Sequence, residues 1–246
     1  MNPNKIFLNE KIKRVEGYNN PDNKFKDISK NWLNYAFKNK YMYNFEWMGR
    51  PIIQLPHDIL AMQEIIWEVK PDLIIETGIA HGGSLIMYAS FLEMMGINNG
   101  AVLGIDIDIR EYNRNEIENH RLFKRITLFE GSSISEEIVS KVNSFAKSFS
   151  KVLVILDSNH THEHVKCELE LYSPLVSKDS YCIVFDTFID DLSNELFSDR
   201  PWSKGNSPKT AVKEFLKKNQ QFKIDQKIQD KLVITAAPDG FLKRVN

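Results

Sequence analysis

The sequence lacks the features that mark disulfide-rich, membrane-spanning or strongly charged proteins. It has two cysteines among 246 residues, Cys167 and Cys182, without metal-ligand spacing, which suits a reducing compartment. No run of about 18 apolar residues predicts a membrane-spanning helix. The 32 Lys and Arg residues nearly balance the 33 Asp and Glu residues, so no net field attracts nucleic acid or an anionic membrane. We therefore expect a soluble, cytoplasmic protein with no nucleic-acid partner and no membrane span.

Internal repeats and low-complexity tracts are absent as well, and the N-terminal part differs in character from the rest. Asn and Lys cluster in the first 40 residues and predict a solvated or mobile arm, although aromatic residues recur at helical spacing around Trp32 and Tyr35. The segment Tyr41–Trp47 is too aromatic for a linker and either packs on the domain or lines its pocket. We predict a helical and aromatic extension over 1–56 and one domain over 57–246.

From residue 57 the chain alternates between short apolar runs and amphipathic segments. We predict strands at about 72–76, 101–106, 125–129, 151–157 and 180–186, and helices at about 57–69, 84–95, 111–119, 134–147, 161–173 and 208–218. Two closing strands are predicted between Phe222 and Val245. Short apolar runs separated by helices indicate parallel strands that are buried on both faces. The pattern predicts an α/β fold with a mostly parallel sheet and helices on both of its faces.

A glycine-rich turn, Glu76–Ser84, follows the first predicted strand of this domain and leads into a helix. Small residues in such a turn let the backbone approach a nucleotide-like cofactor closely. A second apolar run ends in Asp106, which is placed to bond a ribose diol if the two strands are neighbours. The turn lacks the Gly-x-Gly-x-x-Gly spacing of dinucleotide sites, because Ala80 stands at the second glycine position. The cofactor is therefore expected not to be a nicotinamide or flavin dinucleotide.

The turn fits a looser pattern, acidic-x-Gly-x-(Gly/Ala)-x-Gly. Glu76, Gly78, Ala80 and Gly82 match it, and it is the first motif of S-adenosylmethionine-dependent methyltransferases. The acidic group would attract the ammonium of the methionine part by charge and hydrogen bonding. The alternative is a tight strand-to-helix turn without a ligand.

A serine pair, Ser132 and Ser133, follows the third predicted strand. Either serine caps the following helix or reaches the adenine of the cofactor. The candidate cofactor-binding residues are Glu76, Thr77, Gly78, Ala80, Gly82, Ser84, Asp106, Ser132 and Ser133.

Two aspartates, Asp157 and Asp186, end consecutive predicted strands. If these strands are neighbours in a parallel sheet, both carboxylates face one crevice about 5 Å apart. Such a pair suits a hard divalent cation such as Mg²⁺. Two carboxylates without a counter-charge would repel each other, so a cation or substrate hydroxyls are expected between them. We predict that Asp157 and Asp186 are metal ligands.

Three histidines, His160, His162 and His164, lie just after Asp157. Imidazole suits zinc or iron, but a helix beginning near Thr161 would point the three rings in different directions. His160, the nearest to the strand end, is then the candidate general base beside Asp157, with an unperturbed pKa of about 6.5. Packing on the helix flank is the alternative for His162 and His164.

One basic residue, Arg50, stands in the extension after the aromatic segment. Its guanidinium either pairs with a phosphate or carboxylate of the substrate or forms an ordinary salt bridge. We count Arg50, with Asp157 and His160, among the candidate catalytic residues.

Six blocks of the sequence together form a recognisable pattern. They are Tyr43–Trp47, Gly49–Gln54, Ile74–Ser84, Gly104–Arg110, Glu130–Ser133 and Leu156–Val165. Over roughly residues 41–245 the chain resembles the cephalosporin hydroxylase family, which includes rhamnosyl O-methyltransferases and lies in the S-adenosylmethionine-dependent methyltransferase superfamily. The blocks around Glu76–Ser84 and Asp157–Val165 are highly specific.

The resemblance implies a Rossmann-like class I methyltransferase fold with a seven-stranded sheet, which binds S-adenosylmethionine and Mg²⁺ and methylates a hydroxyl. By position, Glu76, Gly78 and Asp106 would hold the cofactor, and Asp157 and Asp186 the metal. The chain departs from the family pattern next to Asp186, where Phe185 replaces a glutamate, so one carboxylate ligand is missing. Water, the substrate or another group such as Asp190 would then complete the metal site.

Three functions follow as hypotheses. The first is an O-methyltransferase for a sugar hydroxyl in surface-polysaccharide or lipopolysaccharide biosynthesis, in which residues 1–56 cover the substrate side and 57–246 bind the cofactor. Its acceptor would be a small molecule or a glycan. The second is an iron-dependent hydroxylase that uses Asp157 and the histidines, and the third is a non-catalytic cofactor-binding partner with a degenerate metal site. The sequence does not determine the oligomeric state, and a homo-oligomer is one of the alternatives.

Overall fold

A computed structural model describes residues 2–20 and 22–246 of the protein. Its helices are α1 (Pro3–Tyr18), α2 (Phe25–Lys38), α3 (Pro56–Val69), α4 (Gly83–Met94), α5 (Glu111–Glu118), α6 (Glu136–Ala146), α7 (His162–Tyr172), α8 (Pro208–Lys218) and α9 (Gln226–Leu232). Its strands are β1 (Phe45–Trp47), β2 (Arg50–Ile52), β3 (Leu73–Thr77), β4 (Ala101–Asp106), β5 (Ile126–Glu130), β6 (Val152–Leu156), β7 (Tyr181–Val184), β8 (Phe222–Ile224) and β9 (Phe241–Arg244).

The central sheet has seven strands in the order β5-β4-β3-β6-β7-β9-β8. The first five of these run parallel, and β9 is antiparallel to both of its neighbours. Parallel pairing follows from the helices that connect successive strands and return the chain to the same end of the sheet. The predicted α/β fold with a mostly parallel sheet is confirmed.

Two apolar cores cover the two faces of the sheet. In β3, Ile74 belongs to the core that contains α3 and α4, whereas Leu73 and Ile75 belong to the core that contains α6, α7 and α8. Successive side chains of a strand point to opposite faces, so uninterrupted apolar strands supply both cores at once. The predicted helices on both faces are therefore present.

The order of the strands reverses between β3 and β6. From β3 the chain proceeds to β4 and β5 on one side, and β6 and β7 are added on the other, with Thr77 opposite Leu156. A crevice forms outside the carboxyl ends of the strands at such a point. This crevice lies next to the glycine turn after β3 and the acidic residues after β4, β6 and β7.

The N-terminal extension is ordered into two helices and a hairpin. Helix α1 buries none of its side chains, whereas α2 buries Leu33 and Ala36. Strands β1 and β2 pair antiparallel, and the Trp47 indole N–H donates to Ser90 Oγ of α4 at 3.0 Å. The solvated character predicted for the first residues thus belongs to an exposed helix. No helix within residues 2–20 and 22–246 is long and apolar enough to cross a membrane.

The C-terminal region differs in part from the prediction of two closing strands. Both closing strands are present, but they are shorter than expected: β8 ends at Ile224, β9 begins only at Phe241, and the helix α9 fills part of the stretch between them. Helix α9 carries Ile228 and Leu232 against the core on the α3 face. Such a short helix depends on this tertiary packing rather than on its own propensity.

Candidate active site

The crevice contains a cavity of about 260 Å³. Its walls come from the glycine turn, from the strand ends and from the N-terminal extension. The lining residues include Phe37, Met42, Tyr43, Gln54, Gly78, Ala80, Ser84, Asp106, Asp157, His160 and Asp186. The structure thus brings the turn and both predicted metal ligands to one cavity.

The glycine turn is fixed by close backbone packing. Gly78 has φ +81°, and a Cβ placed on it would lie 2.1 Å from the Asp157 carbonyl oxygen. The Asp106 carboxylate accepts hydrogen bonds from the backbone N–H groups of Ile79 at 2.9 Å and Ala80 at 3.3 Å. β3 and β4 are neighbours, as the expected ribose contact of Asp106 requires, and Asp106 both shapes the turn and borders the cavity.

Glu76 lies beneath the turn rather than in the cavity wall. Its carboxylate is fully buried and accepts hydrogen bonds from Ser84 Oγ at 2.6 Å and the Tyr88 hydroxyl at 3.1 Å. Burial raises the pKa of Glu76 to about 8, because the charged form loses hydration. Ser84 therefore contacts both this carboxylate and the cavity.

The raised pKa of Glu76 makes the stability of the cofactor-free protein depend on pH. The folded state holds this proton more tightly than the unfolded chain, so stabilisation present below pH 4.5 is lost as pH rises through about 8. We expect the unfolding free energy of Glu76→Gln, relative to that of the wild type, to increase by roughly 3 to 5 kcal/mol as the pH rises from 5 to 9. Urea unfolding across this range measures the difference. Unfolding free energies that change with pH in parallel for the two proteins would contradict the prediction.

Two buried polar atoms near the turn have no hydrogen-bond partner in the part of the chain that the structure describes. They are Gln54 Oε1 and Thr77 Oγ1. Buried acceptors are almost always satisfied, so an unpartnered one that borders a cavity points to a missing ligand. Gln54 lines the cavity and was not among the predicted site residues, although it ends one of the sequence blocks that carry the family resemblance.

The serines after β5 do not cap the following helix. Ser135 is the N-cap of α6 and accepts a hydrogen bond from the Ile138 N–H at 3.4 Å, so the capping alternative for Ser132 and Ser133 is wrong. Ser133 is buried with its hydroxyl 3.2 Å from His164 Nε2, and its carbonyl accepts from Tyr172. Neither serine borders the cavity, and their contact with adenine stays a prediction.

Asp157, His160 and Asp186 converge at the end of the cavity. One ligand atom from each lies within 4.8 Å of those of the other two, and His160 Nε2 is 3.1 Å from an Asp186 carboxylate oxygen. Burial raises the pKa of Asp157 well above its usual range, and repulsion from Asp186 adds to the rise. Burial also raises the pKa of Asp186, whereas His160 opposes that change. Two carboxylates and an imidazole in this environment suit a divalent cation.

Phe185 occupies the apolar core beside this group. Its ring is 3% exposed and belongs to the same core as Tyr181 and Ile183, which share its face of the sheet. Asp190 does not replace the missing carboxylate, because it accepts hydrogen bonds from the Gly205 N–H at 2.8 Å and Ser207 Oγ at 3.2 Å. His160 is the third polar group beside the two carboxylates.

The other two histidines point away from this group. His162 bonds Thr210 Oγ1 at 2.8 Å and Glu214 at 3.1 Å, which ties α7 to α8. His164 Nε2 lies 3.2 Å from Ser158 Oγ, whose hydroxyl donates to the fully buried Glu168 at 2.7 Å. The packing alternative for His162 and His164 is favoured, and the buried network around Glu168 fixes Ser158 next to Asp157.

Arg50 is engaged in structural contacts and does not line the cavity. Its guanidinium donates to the His81 carbonyl oxygen at 2.7 and 3.1 Å and to Asn113 Oδ1 at 3.0 Å. Glu116 lies 3.6 Å away, and the residue is 8% exposed. These contacts favour the salt-bridge alternative over a contact with substrate.

Replacing Arg50 by Met is therefore expected to lower stability. Because charged hydrogen bonds contribute about 1.5 to 3 kcal/mol each, we expect Arg50→Met to lose about 2 to 4 kcal/mol of unfolding free energy. Urea unfolding measures this, with the exposed Arg121→Met as the control that changes stability by less than about 0.5 kcal/mol. Unchanged stability together with a lost catalytic rate would instead support a catalytic Arg50.

Comparison with known proteins assigns the chain to a family. The family described as Rhamnosyl O-methyltransferase/CmcI matches residues 39–245. The chain belongs to that family. Rhamnosyl O-methyltransferase of Mycobacterium bovis is 28% identical over 191 residues, which cover 76% of this chain and 73% of that protein. The match begins at residue 39, so α1 and α2 precede the region shared with the family.

Solved structures share the fold of this family member. CmcI in a structure with Mg and SAM aligns with a TM-score of 0.56 at 19% identity, over 83% of this chain and 78% of that one. CalS11, a TDP-rhamnose 3'-O-methyltransferase, aligns with a TM-score of 0.53 at 17% identity, over 96% and 93% of the two chains. The predicted Rossmann-like methyltransferase fold is confirmed.

Proposed function

We propose that this protein is an S-adenosylmethionine-dependent, Mg²⁺-assisted O-methyltransferase that acts on a sugar hydroxyl in cell-surface glycan biosynthesis. The observation that carries the proposal is the single cavity in which the glycine turn faces Asp157, His160 and Asp186. A methyl donor held by the turn is then next to a hydroxyl held by the acidic group. Membership of the rhamnosyl O-methyltransferase/CmcI family supports the reaction type and both cofactors.

The turn and its surroundings suit the methyl donor. Asp106 borders the cavity and offers carboxylate oxygens to a ribose diol, while Gly78 and Ala80 leave the backbone accessible. The unpartnered Gln54 Oε1 is an acceptor for the methionine ammonium, with Glu76 behind it as the acidic residue of the motif. We keep Thr77, Gly82, Ser84, Ser132 and Ser133 as further cofactor-binding candidates.

The acidic group suits Mg²⁺ and a proton transfer. We assign the metal to Asp157 and Asp186, because Mg²⁺ prefers oxygen ligands and keeps several waters. When bound there, Mg²⁺ would lower the pKa of the acceptor hydroxyl, and the sulfonium would supply the methyl group. His160 is the proton acceptor, and the Asp186 carboxylate, 3.1 Å from His160 Nε2, stabilises the resulting positive charge.

The N-terminal extension covers the acceptor side of the cavity. Phe37, Met42 and Tyr43 line it opposite the strand ends, while the β1–β2 hairpin presses on the start of α4 at Gly83. An apolar cover limits the access of water and strengthens electrostatic interactions inside the site. We propose residues 1–56 as this cover and residues 57–246 as the cofactor-binding domain.

Methyl transfer to a panel of sugars tests the proposal. Purified protein would be incubated with methyl-labelled S-adenosylmethionine and Mg²⁺ in the presence of rhamnosides, nucleotide-linked rhamnose or neutral disaccharides. We expect one methyl group to be added to a sugar hydroxyl, with EDTA abolishing and Mg²⁺ restoring the activity. Unchanged turnover in EDTA would contradict the metal assignment, and no transfer to any sugar hydroxyl would contradict the acceptor class.

A further inference from the structure

A second cavity, of about 500 Å³, opens on the outer side of His160 and Asp186. We call it the outer cleft and define it by Lys38, Lys40, Glu195, Asp199, Arg200 and Trp202. We propose that the outer cleft binds the phosphoryl group of the acceptor, so that the substrate is a sugar linked to a phosphate or diphosphate. The inference rests on the proposed methyltransferase function and names the chemical class of its acceptor.

The outer cleft adjoins the candidate active site. Phe37, Tyr43, His160 and Asp186 line both cavities, so these four side chains form the shared boundary. A sugar hydroxyl at His160 therefore has the rest of its molecule directed into the outer cleft. The groups that line the cleft decide which substituents of the sugar are accepted.

Three cations and three carboxylates line the outer cleft, and two of the cations, Lys38 and Lys40, form no ion pair with a described residue. Among the residues that the structure describes, no carboxylate lies within 4 Å of the Lys38 or Lys40 ammonium, and both lysines line the cleft. Arg200 has only an exposed contact with Asp199 at 3.8 Å, which contributes little because both groups are hydrated. Lysine and arginine bind phosphoryl oxygens through charge and hydrogen bonds, whereas a neutral sugar gains little from them.

The Trp202 ring lies between Arg200 and His160. The rings of Trp202 and His160 meet edge to face with centroids 4.8 Å apart, and the Arg200 guanidinium lies 5.6 Å from the centre of the Trp202 ring. A sugar ring that packs on Trp202 has one edge at His160 and its opposite substituent near the cations. This places the phosphoryl group at Lys38, Lys40 and Arg200.

The segment that carries Trp202 is anchored on both sides. Asp190 accepts hydrogen bonds from the Gly205 N–H and Ser207 Oγ, and Asn206 Oδ1 accepts one from the His162 N–H at 2.9 Å. Asn206 also donates to the Pro201 carbonyl oxygen at 2.8 Å. These bonds hold the Trp202 wall in place before any substrate arrives, which lowers the entropy cost of binding.

The cations of the outer cleft come from two separate parts of the chain. Lys38 ends α2, which precedes the region 39–245 that matches the family. The opposite wall comes from the segment after β7. An acceptor with a phosphoryl group is thus selected by two parts of the chain that meet only in the folded protein.

Calorimetric titration of the protein saturated with S-adenosylhomocysteine and excess Mg²⁺ tests the inference. The probes are uridine diphosphate, uridine and glucuronate, which separate a phosphoryl group from a nucleoside and from a carboxylate. We expect uridine diphosphate to bind at least tenfold more tightly than either of the others. The double variant Lys38→Met/Lys40→Met should lose at least tenfold in affinity for uridine diphosphate and keep its affinity for S-adenosylhomocysteine.

The control is a double variant of exposed lysines outside the outer cleft, Lys147→Met/Lys217→Met, which should bind all ligands as the wild type does. Equal affinity for uridine diphosphate and uridine, or no change in Lys38→Met/Lys40→Met, would overturn the inference and leave the proposed function intact. Glucuronate binding as tightly as uridine diphosphate would overturn the phosphoryl assignment. Failure of the wild type to bind S-adenosylhomocysteine would overturn both the inference and the proposed function.

Discussion

Replacing Asp186 by Asn is expected to lower kcat/KM for methyl transfer by about 10²- to 10³-fold and to weaken the binding of Mg²⁺. The substitution keeps the size of the side chain but removes one of the two carboxylates at the candidate metal site. Electrostatic stabilisation by a bound metal contributes several kcal/mol, and each 1.4 kcal/mol corresponds to about tenfold in rate. The Mg²⁺ dependence of the initial rate measures the effect.

The backbone at Asp186 requires a matched control. Asp186 has φ +56°, and Asp179 is an exposed aspartate with φ +61°. Asn tolerates this conformation as well as Asp does, so neither substitution adds backbone strain. We expect Asp179→Asn to retain wild-type kinetics and stability. Equal activity of both variants would show that Asp186 does not hold the metal.

Replacing Gly78 by Ala is expected to give the largest structural effect. Its new Cβ would lie 2.1 Å from the Asp157 carbonyl oxygen and 2.6 Å from the Ser158 Cα, both of them backbone atoms. The positive φ costs about 1 to 2 kcal/mol for a residue with a Cβ, and forced overpacking adds about 1 to 3 kcal/mol. We expect Gly78→Ala to lose about 2 to 5 kcal/mol of unfolding free energy and at least tenfold in affinity for S-adenosylhomocysteine.

Gly96 separates the backbone strain from the clash. It has φ +67°, and no atom lies within 4 Å of the position that a Cβ would take. Gly96→Ala should therefore lose only about 1 to 2 kcal/mol of unfolding free energy and bind S-adenosylhomocysteine as tightly as the wild type does. Urea unfolding and calorimetry on the two variants provide the comparison. If both variants lose the same stability and the same affinity, close packing of the glycine turn on β6 is not what shapes the site.

The sheet and the acidic pair are predictable from sequence because both depend on periodic, local information. Uninterrupted apolar runs such as Val152–Leu156 signal strands buried on both faces, and the residue after each run then lies at the carboxyl edge. Asp157 and Asp186 follow two such runs that pair in register through Leu156 and Val184. Their convergence therefore follows from strand adjacency alone.

Other parts of the site depend on contacts between distant segments. The role of Arg50 is set by His81 and Asn113, which lie more than 30 residues away along the chain. The choice of Ser135 as a cap depends on where α6 begins, a boundary that local propensity places only within a few residues. The outer cleft combines α2 with the segment after β7, so no local pattern reveals it.

The two other hypotheses from the sequence receive less support. An iron-dependent hydroxylase of the common type needs two histidines with one carboxylate, whereas this group has one histidine with two carboxylates. His162 and His164 are bonded elsewhere. A non-catalytic partner was suggested by Phe185, but His160 supplies a third polar group beside Asp157 and Asp186. Both observations favour the methyltransferase.

A crystal structure of the protein with S-adenosylhomocysteine and Mg²⁺ tests the shared cavity most directly. We predict Mg²⁺ coordinated by carboxylate oxygens of Asp157 and Asp186 at about 2.0 to 2.1 Å, with waters completing its shell. The ribose of the cofactor should bond Asp106, and its sulfur should lie in the same cavity as the metal. Cofactor bound away from Gly78 and Asp106, or Mg²⁺ bound away from the two carboxylates, would contradict the account.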